Sequence, residues 1–209
     1  MWKYEFTKNI HIIPTGIEID RFFEENIDKK EVERLKKQLG YKKSDFIILF
    51  VGRLAEEKNV EFLINAHQKL VTYNDRIKLL IVGDGPDKEK YEKLSESLGM
   101  SQNIIFNGKA AWEEIPLYYH SANLFATAST TETQGLTVIE AMASNVVPVC
   151  MKDEAFQSMV TDDSNGVFFE TQEEYIKQIE RLYNDNNLRM FFNEEQMSIM
   201  KEAVEDHRA

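Results

Sequence analysis

Two carboxylates and a glycine occur together in residues 129–143, which read STTETQGLTVIEAMA. Glu132 lies in a polar stretch, whereas Glu140 lies in an almost wholly apolar segment that opens after Gly135. A buried carboxylate is costly unless it is paired, so Glu140 requires a partner. The free N–H groups of a helix that starts at Gly135 and Leu136 form a site for an anion such as a phosphate. Two acids beside an anion site indicate a ligand with hydroxyl groups at both ends and phosphates between them, as in a nucleotide sugar.

A second cluster of charged residues, GRLAEEK at 52–58, follows the first apolar strand pattern of the chain. Ligands of open α/β sheets bind beyond the carboxyl ends of the strands, which is where this segment is predicted to lie. Arg53 has a planar fork suited to phosphate oxygens. Lys58 stands close to a predicted helix start, where the helix dipole disfavours a cation, so a bound phosphate explains it better. The alternative is that both are surface cations balanced by Glu56 and Glu57.

The elements that must position these residues follow from the hydrophobic pattern. Short apolar runs alternate with amphipathic segments, which predicts βαβ units, and the continuous apolar runs indicate strands buried on both faces. The sequence thus predicts an α/β fold with one doubly wound, Rossmann-like parallel sheet. Strands are predicted at 46–51, 78–82, 103–106, 124–128, 146–151 and 166–169, and helices after each of the first two strands, around 113–120, after Gly135, and at 171–185 and 188–205.

Composition narrows the classes of partner. The 209 residues suffice for one large or two small domains, and 43% of them are hydrophobic. A formal net charge of −11 disfavours nucleic acid or anionic lipid as the main partner of this segment, because both bind basic surfaces. The one cysteine, Cys150, lies in an apolar run and fits a reducing compartment. The sequence shows neither a signal-peptide pattern nor a long apolar run, so we expect a cytoplasmic protein.

The acidic run resembles the glutamate-(seven residues)-glutamate motif of the glycosyl transferases group 1 family. Members of this family are retaining, nucleotide-sugar-dependent glycosyltransferases with two Rossmann-like domains, the GT-B architecture. By this resemblance Glu140 would accept hydrogen bonds from the ribose hydroxyls, and Glu132 would contact the hydroxyls of the sugar. The backbone at Gln134, Gly135 and Leu136 would lie beside the donor.

The resemblance extends to the predicted phosphate side of the site. Arg53 and Lys58 match a glycine-arginine and a glutamate-lysine pair of the family, and by that match they would hold the donor diphosphate. They would also stabilise the charge that develops on the leaving group, which makes Arg53, Lys58 and Glu132 the catalytic candidates. Gly16 resembles a family glycine near the donor phosphates, although a plain turn explains it equally well.

Two further loops follow predicted strands. Gly83 lies in a GDGP turn, where a glycine permits close approach of a ligand but turn chemistry alone also accounts for it. Asn107 and Gly108 match the family segment whose backbone meets the nucleotide base. Such main-chain contacts leave little trace in side chains, so the base is not readable from this loop.

The resemblance covers nearly all of residues 11–200 and maps only onto the donor half of the family. We therefore expect residues 1–28 to be a linker remnant and residues 29–209 to be the donor-binding domain. The N-terminal acceptor domain is expected to be absent from this chain, which would leave the fragment inactive alone.

The resemblance implies transfer of a hexose from a nucleotide diphosphate sugar, expected to be UDP-linked, with retention of configuration. No metal is expected for donor binding. Residues 131–136, TETQGL, also resemble bacterial diacylglycerol glucosyltransferases, which points to a lipid acceptor, with a polysaccharide acceptor as the alternative. Acceptor binding, and any peripheral contact with the inner membrane face, would belong to the missing half. Asn123 and Asn145 stand where the family commonly has aspartate and glycine, and asparagine still tolerates the left-handed conformation of a helix cap.

Other classes of function remain open at this point. A glycoside hydrolase would use Glu132 and Glu140 as its acid and its nucleophile or base, and it requires both carboxyl groups to face one open cleft. A noncatalytic nucleotide-binding module would bind nucleotide without dependence on the sugar. A phosphorylase or an epimerase on the same fold is a further alternative.

Overall fold

The computed structural model describes residues 18–132 and 135–208, with side chains up to residue 201. In this part of the chain six parallel strands form one sheet in the order β3-β2-β1-β4-β5-β6. The strands are short and mainly apolar, and their parallel pairing confirms the prediction of an α/β fold with a parallel sheet. Their bounds are β1 Phe46–Val51, β2 Ile77–Val82, β3 Ile104–Gly108, β4 Leu124–Thr127, β5 Val147–Met151 and β6 Val167–Phe169.

Helices connect successive strands and close the chain. Several begin at a polar cap: the carboxylate of Asp28 accepts the N–H of Lys30, and the hydroxyl of Thr171 accepts the N–H of Glu174. Short 3-10 turns precede some of them. The helices are α1 Lys29–Gln38, α2 Val60–Tyr73, α3 Lys88–Ser97, α4 Ile115–Ser121, α5 Leu136–Ala143, α6 Glu154–Gln157, α7 Gln172–Asn184 and α8 Asn186–Arg208.

The sheet separates two hydrophobic layers. Ile48 and Phe50 of β1 point into a layer that α2 and α7 cover, whereas Ile47 and Leu49 point into a layer that α4 and α5 cover. Because alternate side chains of one strand enter different layers, a strand in the middle of the sheet must be apolar throughout. This is why the strand patterns in the sequence are continuous rather than alternating.

The chain before α1 packs onto the second layer. Residues 19–22 and 24–26 form two 3-10 turns, and Phe22, the last residue of the first, is fully buried. Its ring lies 5.8 Å from the ring of Tyr119, edge to face. Residues 19–26, which belong to the segment that the sequence predicted as a linker remnant, therefore pack against the domain. The domain limits at 28 and 29 stay a prediction.

The structure departs from the predicted elements in several places, and it contains α1 and α6, which were not predicted. β3 ends at Gly108, two residues later than predicted, because its last residues continue the ladder to Gly83. The helix predicted around 113–120 divides into a 3-10 turn at Trp112–Glu114 and a helix from Ile115, with Pro116 in its first turn. Among the described residues no helix is both long and apolar enough to cross a bilayer.

Candidate functional site

The strand order places a switch point between β1 and β4. The chain runs outward from β1 through β2 to β3, and then returns to the other side of β1 to add β4, β5 and β6. The loops after β1 and β4 therefore leave neighbouring strands in opposite directions and open a crevice at the carboxyl edge, where such folds bind ligands. The charged cluster 52–58 lies in the first of these loops, and residues 129–132 of the acidic run lie in the second.

Backbone hydrogen bonds hold the two loops together. The carbonyl of Glu57 accepts the N–H of Thr130 at 3.1 Å and the hydroxyl of Ser129 at 3.4 Å. This contact joins positions more than seventy residues apart in the sequence. It brings Lys58, the next residue, against the acidic run.

Lys58 forms an ion pair across the crevice. Its ammonium lies 3.0 Å from Oε2 of Glu132, and the two side chains are 24% and 14% exposed. A pair this sheltered from water is screened less than a surface pair. The sequence predicted a phosphate as the partner of Lys58, and the structure places the carboxylate of Glu132 beside it.

The other oxygen of Glu132 lies at the start of α5. Oε1 accepts the N–H of Gly135 at 3.4 Å, so the carboxylate lies on the free N–H groups that the sequence predicted as an anion site. Gly135 itself has φ of 60°, and a Cβ there would lie 2.0 Å from Cε of Met159. The left-handed backbone therefore favours glycine here, and a side chain would also have to displace the end of Met159, which follows α6.

Glu140 lies on α5, five residues after Gly135, and is 5% exposed. The hydroxyl of Tyr119, on α4, donates to its Oε2 at 2.8 Å. No ion pair of Glu140 occurs within residues 18–132 and 135–208. The partner that the sequence demanded for this carboxylate is therefore a tyrosine hydroxyl on the preceding helix.

Burial shifts the titration of this pair. Removal from water raises the pKa of Glu140, while the hydrogen bond from Tyr119 and the charge of Arg21 oppose that rise. Burial also raises the pKa of Tyr119 well above its usual range, and the charge of Glu140 adds to that rise. Tyr119 is consequently a permanent hydrogen-bond donor to the carboxylate at neutral pH.

Arg53 lies in the loop after β1 and is exposed. Within the part of the chain that the structure describes, its guanidinium makes neither a hydrogen bond nor an ion pair. A planar cation with five free donors at the carboxyl edge is suited to an incoming phosphate. It differs from Lys58, whose charge Glu132 already balances.

Gly52 and Gly83 extend the ladder beyond the ends of β1 and β2, as far as Gly108 at the end of β3. The N–H of Gly52 bonds to Val82, and the N–H of Gly83 bonds to the carbonyl of Gly108 at 2.9 Å. A Cβ on Gly83 would lie 1.8 Å from the carbonyl oxygen of Gly52. Backbone packing therefore accounts for Gly83, whereas its predicted approach to a ligand remains a prediction.

The loop predicted to meet the base follows β3. Gly108 has φ of 77°, and a Cβ there would lie 3.9 Å from Nζ of Lys88. The amide oxygen of Asn107 accepts the hydroxyl of Tyr118 at 3.2 Å, which fixes this side chain. Gly16 and Gln134, the other predicted contacts of the donor, lie outside the described residues.

Tyr119 is the residue that the sequence pattern did not reveal as part of the site. It lies in a run of aromatic residues on α4, and such a run predicts core packing. It is fully buried, as expected, but its hydroxyl serves Glu140. The signal that could have found it is the unpaired carboxylate itself, which requires a buried donor on a neighbouring element.

The two family departures keep their structural roles. The side chain of Asn123 accepts the N–H of Ile47 at 2.8 Å, so it joins β4 to β1 as an aspartate would. Asn145 has φ of 56° directly after α5. Its N–H bonds to Met142, and the N–H of Val146 bonds to Ala141, which together form a Schellman cap. The prediction that asparagine preserves this cap is confirmed.

The surroundings of the two glutamates argue against a hydrolytic pair. A hydrolase requires two carboxyl groups in one open cleft. Glu140 is almost fully buried and bonded to Tyr119, and Glu132 is bound to Lys58. This arrangement offers binding groups rather than a free acid and base.

Comparison with known proteins identifies the sequence relatives of this site. A family model described as "Glycosyl transferases group 1" matches residues 31–197. An alpha-monoglucosyldiacylglycerol synthase of Acholeplasma laidlawii is 37% identical over 175 residues, 84% of this chain and 43% of that protein. A protein of the same name from Streptococcus pneumoniae is 30% identical over 79% of this chain and 38% of its own length. The chain thus spans less than half the length of these relatives.

Solved structures share the fold. HepE of Anabaena, crystallised with UDP and glucose, has a TM-score of 0.81 and 22% identity over 92% of this chain and 52% of that protein. The C-terminal domain of a glycosyl transferase group 1 protein, LpcC from Francisella tularensis, has a TM-score of 0.75 and 21% identity. That alignment covers 90% of this chain and 97% of the solved domain. The described sheet and its helices are therefore a Rossmann-like domain of the GT-B type.

Proposed function

Because this chain belongs to the glycosyl transferases group 1 family, we propose that it is the donor-binding domain of an enzyme that transfers a hexose from a UDP-linked sugar to a lipid acceptor, with retention of configuration. The observation that carries this proposal is the pairing of Lys58 with Glu132 at the start of α5, beside the switch point of the sheet. A cation and free helix N–H groups in such a crevice suit a diphosphate.

The donor diphosphate would replace the carboxylate of Glu132. In this proposal its oxygens bind Lys58, the free guanidinium of Arg53 and the N–H groups at Gly135 and Leu136. The same groups would stabilise the negative charge that grows on UDP as the bond to the sugar breaks. In this proposal Lys58 and the N–H of Gly135 are in place before the donor arrives, and Glu132 must leave both when it binds.

The two glutamates would orient the ends of the donor. Glu132, released from the anion site, would accept hydrogen bonds from hydroxyls of the hexose, and Glu140 would accept them from the ribose. Asn107 and Gly108 would present backbone groups to the base, with Gly16, Gly83 and Gln134 contributing to the surroundings of the donor. This assignment of the donor contacts follows the family motif. The burial of Glu140 within α5, beyond the helix start that would bind the phosphates, supports it.

Donor binding is proposed to need no metal ion. Arg53 and Lys58 can supply the positive charge that a bound cation supplies elsewhere. Calorimetric titration with UDP in the presence of EDTA tests this point, and we expect the affinity to equal that in magnesium buffer. Binding that EDTA abolishes would contradict the proposal and require carboxylate ligands.

A diacylglycerol-type lipid is proposed as the acceptor. Two relatives with 37% and 30% identity are named for the synthesis of a glucosylated diacylglycerol, which supports this choice over a polysaccharide. Acceptor binding would involve a further domain, since the chain spans less than half of these proteins. The enzyme would act at the cytoplasmic face of the membrane, where nucleotide sugars and lipid meet.

The decisive experiment is calorimetric titration of the chain with UDP, UDP-glucose and GDP-mannose, repeated with Arg53→Ala. We expect selective binding of the uridine nucleotides and a loss of about 10- to 100-fold in affinity in the variant, since a charge-assisted hydrogen bond is removed. Arg76→Ala is the matched control, because Arg76 is equally exposed but precedes β2 at the amino edge of the sheet. Equal affinities in all three proteins would contradict the site assignment.

A further inference from the structure

We propose that Tyr119 is a positioning residue for nucleotide binding: its hydroxyl holds Oε2 of Glu140 and leaves Oε1 to accept hydrogen bonds from ribose hydroxyls. The inference rests on the proposed function, because it assigns Glu140 to the ribose. It extends that function to a residue on α4 that would not contact the nucleotide itself.

The geometry of the tyrosine hydroxyl supports this role. Its oxygen lies 2.8 Å from Oε2 of Glu140 and 3.1 Å from the carbonyl oxygen of Thr137. A hydroxyl has one proton to donate, and the shorter contact to the stronger acceptor takes it while Glu140 is ionised. Oε1 of Glu140 makes no hydrogen bond with any residue that the structure describes, so its acceptor sites stay available.

The ring of Tyr119 is rigidly held. It is fully buried between the rings of Phe22 and Phe125, whose centroids each lie 5.8 Å away. A hydroxyl on a fixed ring restrains the carboxylate more tightly than a flexible side chain would. Glu140 can therefore keep one orientation before the nucleotide arrives, which lowers the entropic cost of binding.

The carbonyl of Thr137 lets Tyr119 and Glu140 stay hydrogen-bonded when Glu140 is protonated. When Glu140 is protonated, its O–H can donate to the oxygen of Tyr119, while Tyr119 donates to the carbonyl of Thr137. Both groups then remain hydrogen-bonded inside the fold. Protonation would thus change the ability of Glu140 to accept ribose hydroxyls without unfolding the domain.

This arrangement predicts a pH dependence of ribose recognition. Burial raises the pKa of Glu140, and the lowering influences are the hydrogen bond from Tyr119 on α4 and the charge of Arg21 on the first 3-10 turn. Tyr119→Phe removes one lowering influence, so the pKa of Glu140 rises further. Ribose recognition, which is lost as the pH falls through that pKa, should then fail at a higher pH in the variant than in the wild type.

The measurement is the affinity for UDP divided by the affinity for 2′,3′-dideoxy-UDP, determined by calorimetry across a pH series. The ratio isolates the ribose hydroxyls, because titration of the phosphates affects both ligands equally. We expect Tyr119→Phe to lower the ratio about fivefold at neutral pH, as loss of one ordinary hydrogen bond would. Its acid limb should also move to higher pH, while dideoxy-UDP binds as before.

Two comparisons separate positioning from general damage to the fold. Tyr175→Phe removes the hydroxyl of another fully buried tyrosine, one that has no hydrogen-bond partner among the described residues, and it should leave the ratio and its pH profile unchanged. In a Glu140→Ala background, Tyr119→Phe should have no further effect on the ratio. A wild-type pH profile in Tyr119→Phe, or a further loss in the double variant, would overturn the inference.

Instability of the single variant is also informative. If Tyr119→Phe unfolds at neutral pH because it strands the Glu140 carboxylate, the double variant with Glu140→Ala should regain cooperative thermal melting. A double variant that is as unstable as the single one would overturn the inference, since Tyr119 would then act on packing alone. Failure of the wild type to bind UDP at all would instead contradict the proposed function.

Discussion

At the scale of single residues, Glu132 occupies the place proposed for the donor phosphates. Its carboxylate contacts the ammonium of Lys58 and the N–H of Gly135. In the proposed site, the donor phosphates would have to displace this internal anion. Glu132→Gln should strengthen the binding of free UDP, because a neutral amide competes less for Lys58. The same change should weaken the sugar contact, so the affinity for UDP-glucose relative to UDP should fall about tenfold or more.

Parallel calorimetric titrations of UDP and UDP-glucose check this expectation. Glu56→Gln is the matched control, since it removes an exposed carboxylate from the 3-10 turn that carries Lys58. It should leave the relative affinity unchanged. An equal loss for both ligands in Glu132→Gln would show that the residue does not distinguish sugar nucleotide from nucleotide.

The sequence anticipated individual site residues better than their contacts. Apolar surroundings showed that Glu140 would be buried, and the position after a strand placed Lys58 at the ligand edge. The pairing of Lys58 with Glu132 was not predictable, because it depends on which strands become neighbours. The sequence pattern at Tyr119 predicts only a core residue, because nothing local distinguishes a tyrosine that donates to a carboxylate from one that only fills space.

At the scale of elements, the C-terminal end of α5 depends on which residue follows the helix. Asn145 adopts a left-handed conformation, which costs an ordinary residue about 1–2 kcal/mol and costs asparagine less. Asn145→Ala should therefore lower the free energy of unfolding by about 1 kcal/mol. Asn145→Gly should stay within about 0.5 kcal/mol of the wild type, because relief of the backbone offsets the extra entropy of the unfolded chain.

Urea denaturation of the three proteins measures these differences. Equal stabilities of the alanine and glycine variants would mean that the cap does not constrain the backbone. Donor binding should be unchanged in both, because Asn145 lies at the end of α5 opposite to Gly135.

The C-terminal cap of α5 was predictable from the sequence, because αL caps depend on one or two residue types. The 3-10 turn at Trp112–Glu114 was not, because it depends on packing against Arg21, whose guanidinium donates a hydrogen bond to the carbonyl of Trp112.

At the scale of the whole molecule, the class of fold followed from the alternation of strands and helices, but the order of the strands did not. Apolar runs in both halves of the chain look alike, so the pattern does not show that β4 returns to pair with β1. That return creates the switch point and joins residues 52–58 to residues 129–132. The location of the crevice is therefore a property of topology, whereas its chemistry is visible in the two loop sequences.

A buried histidine far from this crevice links acidity to the stability of the whole domain. His67 on α2 is fully buried, and neither ring nitrogen makes a hydrogen bond of normal geometry within the described residues. Burial lowers its pKa from 6.5 to about 3, against the opposing influence of backbone groups at Asn103 and Ile77. As the pH falls below 6.5, His67 becomes protonated in the unfolded chain but stays neutral in the folded chain. The free energy of unfolding therefore decreases.

This decrease defines the prediction for His67→Gln, whose side chain does not titrate. Between pH 7 and pH 5 the histidine adds a slope approaching about 1.4 kcal/mol per pH unit to the wild type, and the variant should lack that contribution. Urea denaturation at several pH values measures both curves, and the difference in stability between them should shift in favour of the variant as the pH falls. The stability of the variant at neutral pH does not matter for this test, because only the change of the free energy of unfolding with pH reports proton uptake by His67. Parallel curves would mean that His67 takes up its proton within the folded domain, and that its burial is not what makes the protein sensitive to acid.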